Sequence, residues 1–136
     1  MVGAAVALCS QAGTLDQETR CLAQAVYWEA RGEPWQGKVA VAITTLNRVK
    51  HPGFPKTICR VVYQPHQYAW THHRNLKITS KRDWEEAVFV ATLTRETLYT
   101  LNHNFPALYF HNTTAKPAWR HQHTRLVQIG KHIFYY

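Results

Sequence analysis

The stretch "AVYWEARGEP", residues 25–34, contains the end of one helix, the break after it, and an acid on the wrong face. At about 100° per residue, Leu22, Ala25, Val26 and Glu29 share one stripe, and Gln17, Arg20, Gln24 and Arg31 lie opposite. This spacing predicts an amphipathic helix from about Asp16 to Arg31. Thr14 or Asp16 can cap its start, and Gly32 followed by Pro34 ends it. Glu29 then sits inside the apolar stripe. Burying a carboxylate is expensive unless it is paired or put to use. Either an arginine or a backbone amide satisfies it, or it lines a cleft where desolvation lets it hold and deliver a proton near neutral pH. Glu33 follows one turn later on the same face, where a neighbouring acid would push one of the pair towards its neutral form.

Working outward, a second helix is predicted from Pro34–Gln36 to Lys50, with Val39, Ala42, Ile43 and Leu46 as its stripe. "HPGFP", 51–55, reads as a turn, and a shorter helix covers 56–63. The segment 64–78, "QPHQYAWTHHRNLKI", has no period and is rich in aromatic residues and histidine. It reads as a long loop, a class of segment that in compact domains is disproportionately functional. "SKRD", 80–83, resembles a capping box and opens a long helix to about Leu101, with Trp84, Ala87, Val88, Ala91 and Leu98 as its stripe. After Pro106 the pattern changes to strands in "ALYFHN" and "RLVQIGKHIFYY", with a turn or bulge at Gly130. The expected class is α+β, predominantly helical, with a small C-terminal β-sheet.

The 136 residues suffice for one domain with a core. Residues 1–14 are small and apolar and read as a flexible lead or the remnant of a signal or linker. No window is long enough to span a bilayer. Lys and Arg outnumber Asp and Glu by 16 to 8, giving a net charge of +8. Such a surface favours polyanions: nucleic acid, anionic membranes or the anionic polymers of a bacterial wall. Three cysteines without zinc-type spacing permit one disulfide and one spare. Cys21 and Cys59 lie in the patterned part of the chain and form the natural couple; two reduced core thiols are the equal alternative.

Trp35, Tyr63, Tyr68, Trp70, Tyr109 and Trp119 fall near helix ends, loops or strand ends. Aromatic faces stack on sugar rings, although core packing is the plain reading of each taken singly. Tyr68 and Trp70 are the exceptions, since their loop has no periodic core partner. With these residues in view, "CLAQAVYWEARGEPWQGKVAVAITTLNRVKHPGFPKTICRVVYQ" resembles the opening of the spore-cortex-lytic enzyme family of bacterial cell wall hydrolases. "QYAWT", "ALYFHN", Trp119 and "IGKHIF" are similar to that family's later motifs, in the same order. Lys38 stands where glutamine is common in the family, and His111 is inserted in its aromatic-Asn pair.

The resemblance implies a lysozyme-like, lytic-transglycosylase-like single domain over residues 15–136. It also implies a chain that cuts peptidoglycan glycan strands in the cell envelope, whether periplasmic, secreted or delivered by a phage. It points to Glu29 as the catalytic acid and matches Glu33 to the family's second acid; with the aromatic reading above, Glu33, Tyr68, Trp70, Tyr109, Asn112, Trp119 and His132, a cleft or core residue, are the candidate substrate-binding residues. It favours a disulfide between Cys21 and Cys59. No cofactor and no metal are expected, and oligomeric state is left open. Glycosidases ordinarily use two carboxylates. This chain has eight acids, and Glu18, Asp83, Glu85, Glu86 and Glu96 read as solvated helix-face residues. A lytic transglycosylase needs only one acid, which acts twice. Muramidase-type hydrolysis with water is the enzymatic alternative. A metal hydrolase is disfavoured because "HH" at 72–73 and "HQH" at 121–123 lack a nearby acid in ligand spacing. A basic, non-catalytic module for wall or nucleic acid is the other class, but no nucleic-acid recognition motif is present, so no specific nucleic acid is expected.

Overall fold

The computed structural model describes residues 15–73, 75–102 and 104–136. The expected lead, 1–14, lies outside the described residues. Helix α1 spans Gln17–Ala30, α2 Trp35–Lys50 and α3 Ile58–Val62, and a 3-10 turn follows at Ala69–His72. Helix α4 runs Lys81–Leu93 and continues through a π-helical turn, Thr94–Leu98, into a last α-helical turn, Tyr99–Leu101. Strands β1 (Tyr109–Asn112), β2 (Arg125–Ile129) and β3 (His132–Tyr135) form an antiparallel sheet of order β1-β3-β2.

The helix starts follow capping chemistry. Asp16 accepts the Thr19 N–H at 2.8 Å, and Ser80 accepts the Asp83 N–H at 3.2 Å. The reciprocal half of the second capping box is absent, because the Ser80 N–H donates instead to the Tyr27 hydroxyl. Glu18 departs from its expected role as a solvated helix-face acid. Its two carboxylate oxygens accept the Ile58 and Cys59 N–H groups at 2.6 and 3.2 Å and cap α3 from another helix. Next to this cap a disulfide joins Cys21 to Cys59, tying α1 to α3. Glu86 likewise pairs with Lys38 at 3.1 Å rather than standing free.

Helix α2 differs most from its expected single stripe. Every residue from Gly37 to Leu46 is buried. Val39, Ala42, Ile43 and Leu46 pack with Leu22, Val26, Val62 and Val90 in the helical core. Ala40 and Val41 instead join Ala30, Ala107 and Phe134 under the sheet. A helix covered on both sides needs no polar face over its middle, which explains the run "VAVAI". Its buried hydroxyls bond back along the helix, Thr44 to the Ala40 carbonyl at 2.8 Å and Thr45 to the Val41 carbonyl at 3.0 Å. At its exit, Asn47 donates to the Phe105 and Ala107 carbonyls at 2.8 and 2.9 Å, and Arg48 Nε to the Leu108 carbonyl at 2.7 Å. These bonds deliver the chain into β1.

Strand alternation then sorts the sheet. Phe110 and Phe134 face the helices, their rings 5.5 Å apart. Tyr109, His111 and Tyr135 face the other way and are covered by Trp119 from a 3-10 turn at Ala118–Gln122. Gly130 makes the β2–β3 turn with φ +58°, the left-handed region that glycine enters without strain.

Candidate active site

Glu29 occupies the last turn of α1 and is partly buried. It makes no salt bridge among the described residues. Burial pushes its carboxyl up to about 7; the nearby Trp70 indole N–H and the positive charge of Arg48 offset only part of that rise. The Trp70 N–H is itself buried and lacks a well-formed hydrogen bond, so it faces the acid without saturating it. Glu33 contributes nothing to the shift, contrary to the expected coupling of the two acids. The rise comes from dehydration, not from a like charge.

Trp70 is shared between the acid and a groove. It also lines a cavity of about 180 Å³ together with Trp28 and Tyr63, with Gln24 and His73 as polar groups and Leu76 and Ile78 as further apolar walls. Glu29 does not line this cavity; Trp70 is the residue common to both. The Trp70 ring lies 6.3 Å from Trp28, 6.1 Å from Tyr68 in a stacked arrangement, and 5.7 Å from Tyr63 edge-on. The loop 64–78 is therefore held by aromatic packing. The fully buried Tyr68 anchors it, with its hydroxyl 3.2 Å from Thr45 Oγ1 on α2.

The other expected binding residues fall into separate places. The Glu33 carboxylate accepts the Lys131 N–H at 2.6 Å and lies 3.5 Å from His132 Nδ1. It therefore fastens the turn after α1 to the β2–β3 hairpin. His132 is buried against Phe110, and its pKa is lowered, chiefly by burial, against the opposing pull of Glu33. The Asn112 side chain is exposed and closes the turn after β1, accepting from the Thr114 N–H and hydroxyl at 2.9 Å each. Tyr109 and Trp119 lie on the outer face of the sheet, where Tyr109 stacks on His123 at 3.9 Å. Only Tyr68 and Trp70 join Glu29 directly.

Arg48 was not singled out in the sequence as a site residue, and it is the link between these groups. Its guanidinium lies 5.7 Å from the Tyr68 ring and 5.8 Å from the Tyr109 ring. The available signal was a charged residue in "LNRV" just after the apolar run 39–43 of the same helix. Trp28 and Gln24 were hidden by their places off the apolar stripe of α1, where a cavity wall reads like a solvated face. Among the described residues no three His, Cys, Asp or Glu side chains are grouped to hold a metal ion.

Comparison with known proteins now bears on this arrangement. The spore cortex-lytic enzyme of Bacillus subtilis (strain 168) is 35% identical over 134 residues, covering 96% of this chain and 41% of that protein. The spore cortex-lytic enzyme of Halalkalibacterium halodurans is 35% identical over 127 residues, covering 90% of this chain and 36% of that one. The chain thus spans about two-fifths of the length of these curated relatives. Among solved structures, the catalytic domain of the germination-specific lytic transglycosylase SleB from Bacillus anthracis superposes with a TM-score of 0.71. Its identity is 33%, over 90% of this chain and 97% of that one. The catalytic domain of the Bacillus cereus SleB protein gives a TM-score of 0.68 at 32% identity, over 88% and 89% of the two chains. This likeness shows the lysozyme-like fold. The cell wall hydrolase family model matches residues 32–135, most of the chain, so the chain belongs to the cell wall hydrolase family.

Proposed function

We propose that this chain cleaves peptidoglycan glycan strands between N-acetylmuramic acid and N-acetylglucosamine as a lytic transglycosylase, with Glu29 acting first as acid and then as base. The observation that carries this reading is an unpaired, dehydrated carboxyl with a pKa of about 7 beside an aromatic groove. The family match begins at Gly32, just after Glu29, so the role of Glu29 rests on its own surroundings. In the first step neutral Glu29 gives its proton to the glycosidic oxygen, and the bond from that oxygen to the muramic anomeric carbon breaks. The substrate's N-acetyl group assists at that carbon. In the second step the Glu29 carboxylate takes the proton of the muramic 6-hydroxyl as its oxygen closes the 1,6-anhydro ring, and neutral Glu29 is restored. Positioned proton transfer of this kind contributes about 10²–10⁴ in rate. A pKa near the working pH suits a group that must donate and then accept.

The relatives' names place their action on spore cortex or germination, and for this chain the same substrate class sets the workplace at the wall. No helix among the described residues is long and apolar enough to cross a membrane. The net charge of +8 concentrates the protein on an anionic wall, an attraction that salt weakens. Mass spectrometry of digested wall tests the reading directly. Anhydromuramic ends are expected; reducing muramic ends would mean hydrolysis by water, and intact glycan would end the proposal.

A further inference from the structure

Arg48 is 4% exposed, and no carboxylate forms a salt bridge with it among the described residues. Its Nε bonds the Leu108 carbonyl at 2.7 Å, while Nη1 is buried without a partner. The rings of Phe54, Tyr68 and Tyr109 surround the guanidinium at 5.2, 5.7 and 5.8 Å. Cation–π contacts recover only part of the cost of dehydrating the charge. A peg for the Leu108 carbonyl needs one N–H and no charge, so the charge calls for a separate explanation.

Glu29 lies across the aromatic loop from this charge: the Tyr68 ring is 5.7 Å from the guanidinium and stacks at 6.1 Å on Trp70, whose N–H faces the acid. Tyr68 feels both, its hydroxyl fixed by Thr45 and its titration pulled in opposite directions by Arg48 and Glu29. The charged or polar groups facing Glu29 are thus Arg48 from α2, and Trp70 and Tyr68 from the 64–78 loop. Tyr109 faces Arg48 from β1. We infer that Arg48 is a positioning residue for the acid: its buried charge stabilises the Glu29 carboxylate formed when the proton leaves, so that the intermediate step does not strand an anion in a dehydrated site. This rests on Glu29 being the proton donor. While Glu29 carries its proton, Arg48 has no carboxylate partner; after transfer its charge attracts the Glu29 carboxylate, and the second transfer ends that attraction.

The test reads the coupling itself in the folded native protein. The side-chain ¹⁵Nε resonance of Arg48 is expected to inflect at the Glu29 midpoint near 7, and to lose that inflection in Glu29→Gln. A flat Arg48 profile, or one unchanged in Glu29→Gln, overturns the inference. Arg48→Gln keeps an N–H for Leu108 and removes the charge. It should raise the Glu29 midpoint by about one unit and lower kcat about tenfold with KM unchanged. Arg48→Lys should return kcat to within about threefold of native. A folded Arg48→Gln protein with an unshifted Glu29 midpoint also overturns the inference. The two readings fail separately, since an active Glu29→Gln enzyme refutes the assignment of Glu29, whereas an unshifted midpoint refutes the coupling.

Discussion

The two carboxylates of "EARGEP" sit one helical turn apart and have opposite surroundings. Glu29, in the last turn of α1, faces an indole and a guanidinium without an ion pair, and burial raises its pKa to about 7. Glu33, past the helix end, accepts a backbone N–H at 2.6 Å and lies beside His132, so it is spent on closing the hairpin. The difference shows that two acids in one motif can have unlike surroundings, one dehydrated and one bonded to a backbone N–H. The helix ends at Ala30, between them, and the chain turns Glu33 towards β3 while Glu29 stays beside Trp70.

The sharpest way to break this contrast is to neutralise each acid. Glu29→Gln should lower glycan cleavage by about 10²–10⁴ or more with the fold intact, whereas Glu33→Gln should retain most of the activity; turnover of purified wall by both variants decides it. The contrast also appears in stability. The carboxyl of Glu29 titrates near 7 when folded, against 4.5 for the free group. The folded state therefore holds the extra proton between these values, and native stability falls as pH rises from about 4.5 through 7. Glu29→Gln escapes that loss. It should match native stability near pH 4 and exceed it by about 2–3 kcal/mol at pH 9, measured by urea unfolding. Equal pH profiles for the two proteins would contradict a dehydrated Glu29.

Glu33→Gln should show the reverse pattern, a loss of about 1–3 kcal/mol of stability because a charged acceptor for the Lys131 N–H is removed. Thermal unfolding at pH 7 measures it. A smaller effect sharpens the role of the hairpin. A Cβ at Gly130 would sit 2.6 Å from Glu33 Oε1, at a φ of +58°. Gly130→Ala should cost about 1–2 kcal/mol, and part of that cost should vanish in a Glu33→Ala background. A double-mutant cycle with no coupling would show that Glu33 and the turn are independent.

Much of the fold was legible in the sequence because its elements are set by local chemistry. The α1 stripe, its Gly32/Pro34 stop, the Ser80 cap and the Gly130 turn each depend on neighbours within a few residues. Glu29 was legible for the same reason, as an acid out of place in a periodic pattern. What was not legible depends on residues far apart in the chain. Glu18 reads as a surface acid until α3 arrives to be capped by it. The run 39–43 reads as one face of a helix until the sheet covers the other side. Tyr109 and Trp119 share an aromatic character with Trp70, but strand alternation and the register Tyr109↔Tyr135 put Tyr109 on the outer face, where Trp119 covers it from the 3-10 turn.

By itself, the sequence determined which segments are helices and strands, where they stop, and that one carboxylate lies among nonpolar side chains, because these follow from periodicity and from backbone preferences of single residues. Tertiary packing alone decided which acid loses its water and which finds a backbone partner, and which arginine faces the acid. Dehydration and charge coupling depend on what closes over a group in space, and that is fixed only when α2, the 64–78 loop and the hairpin come together.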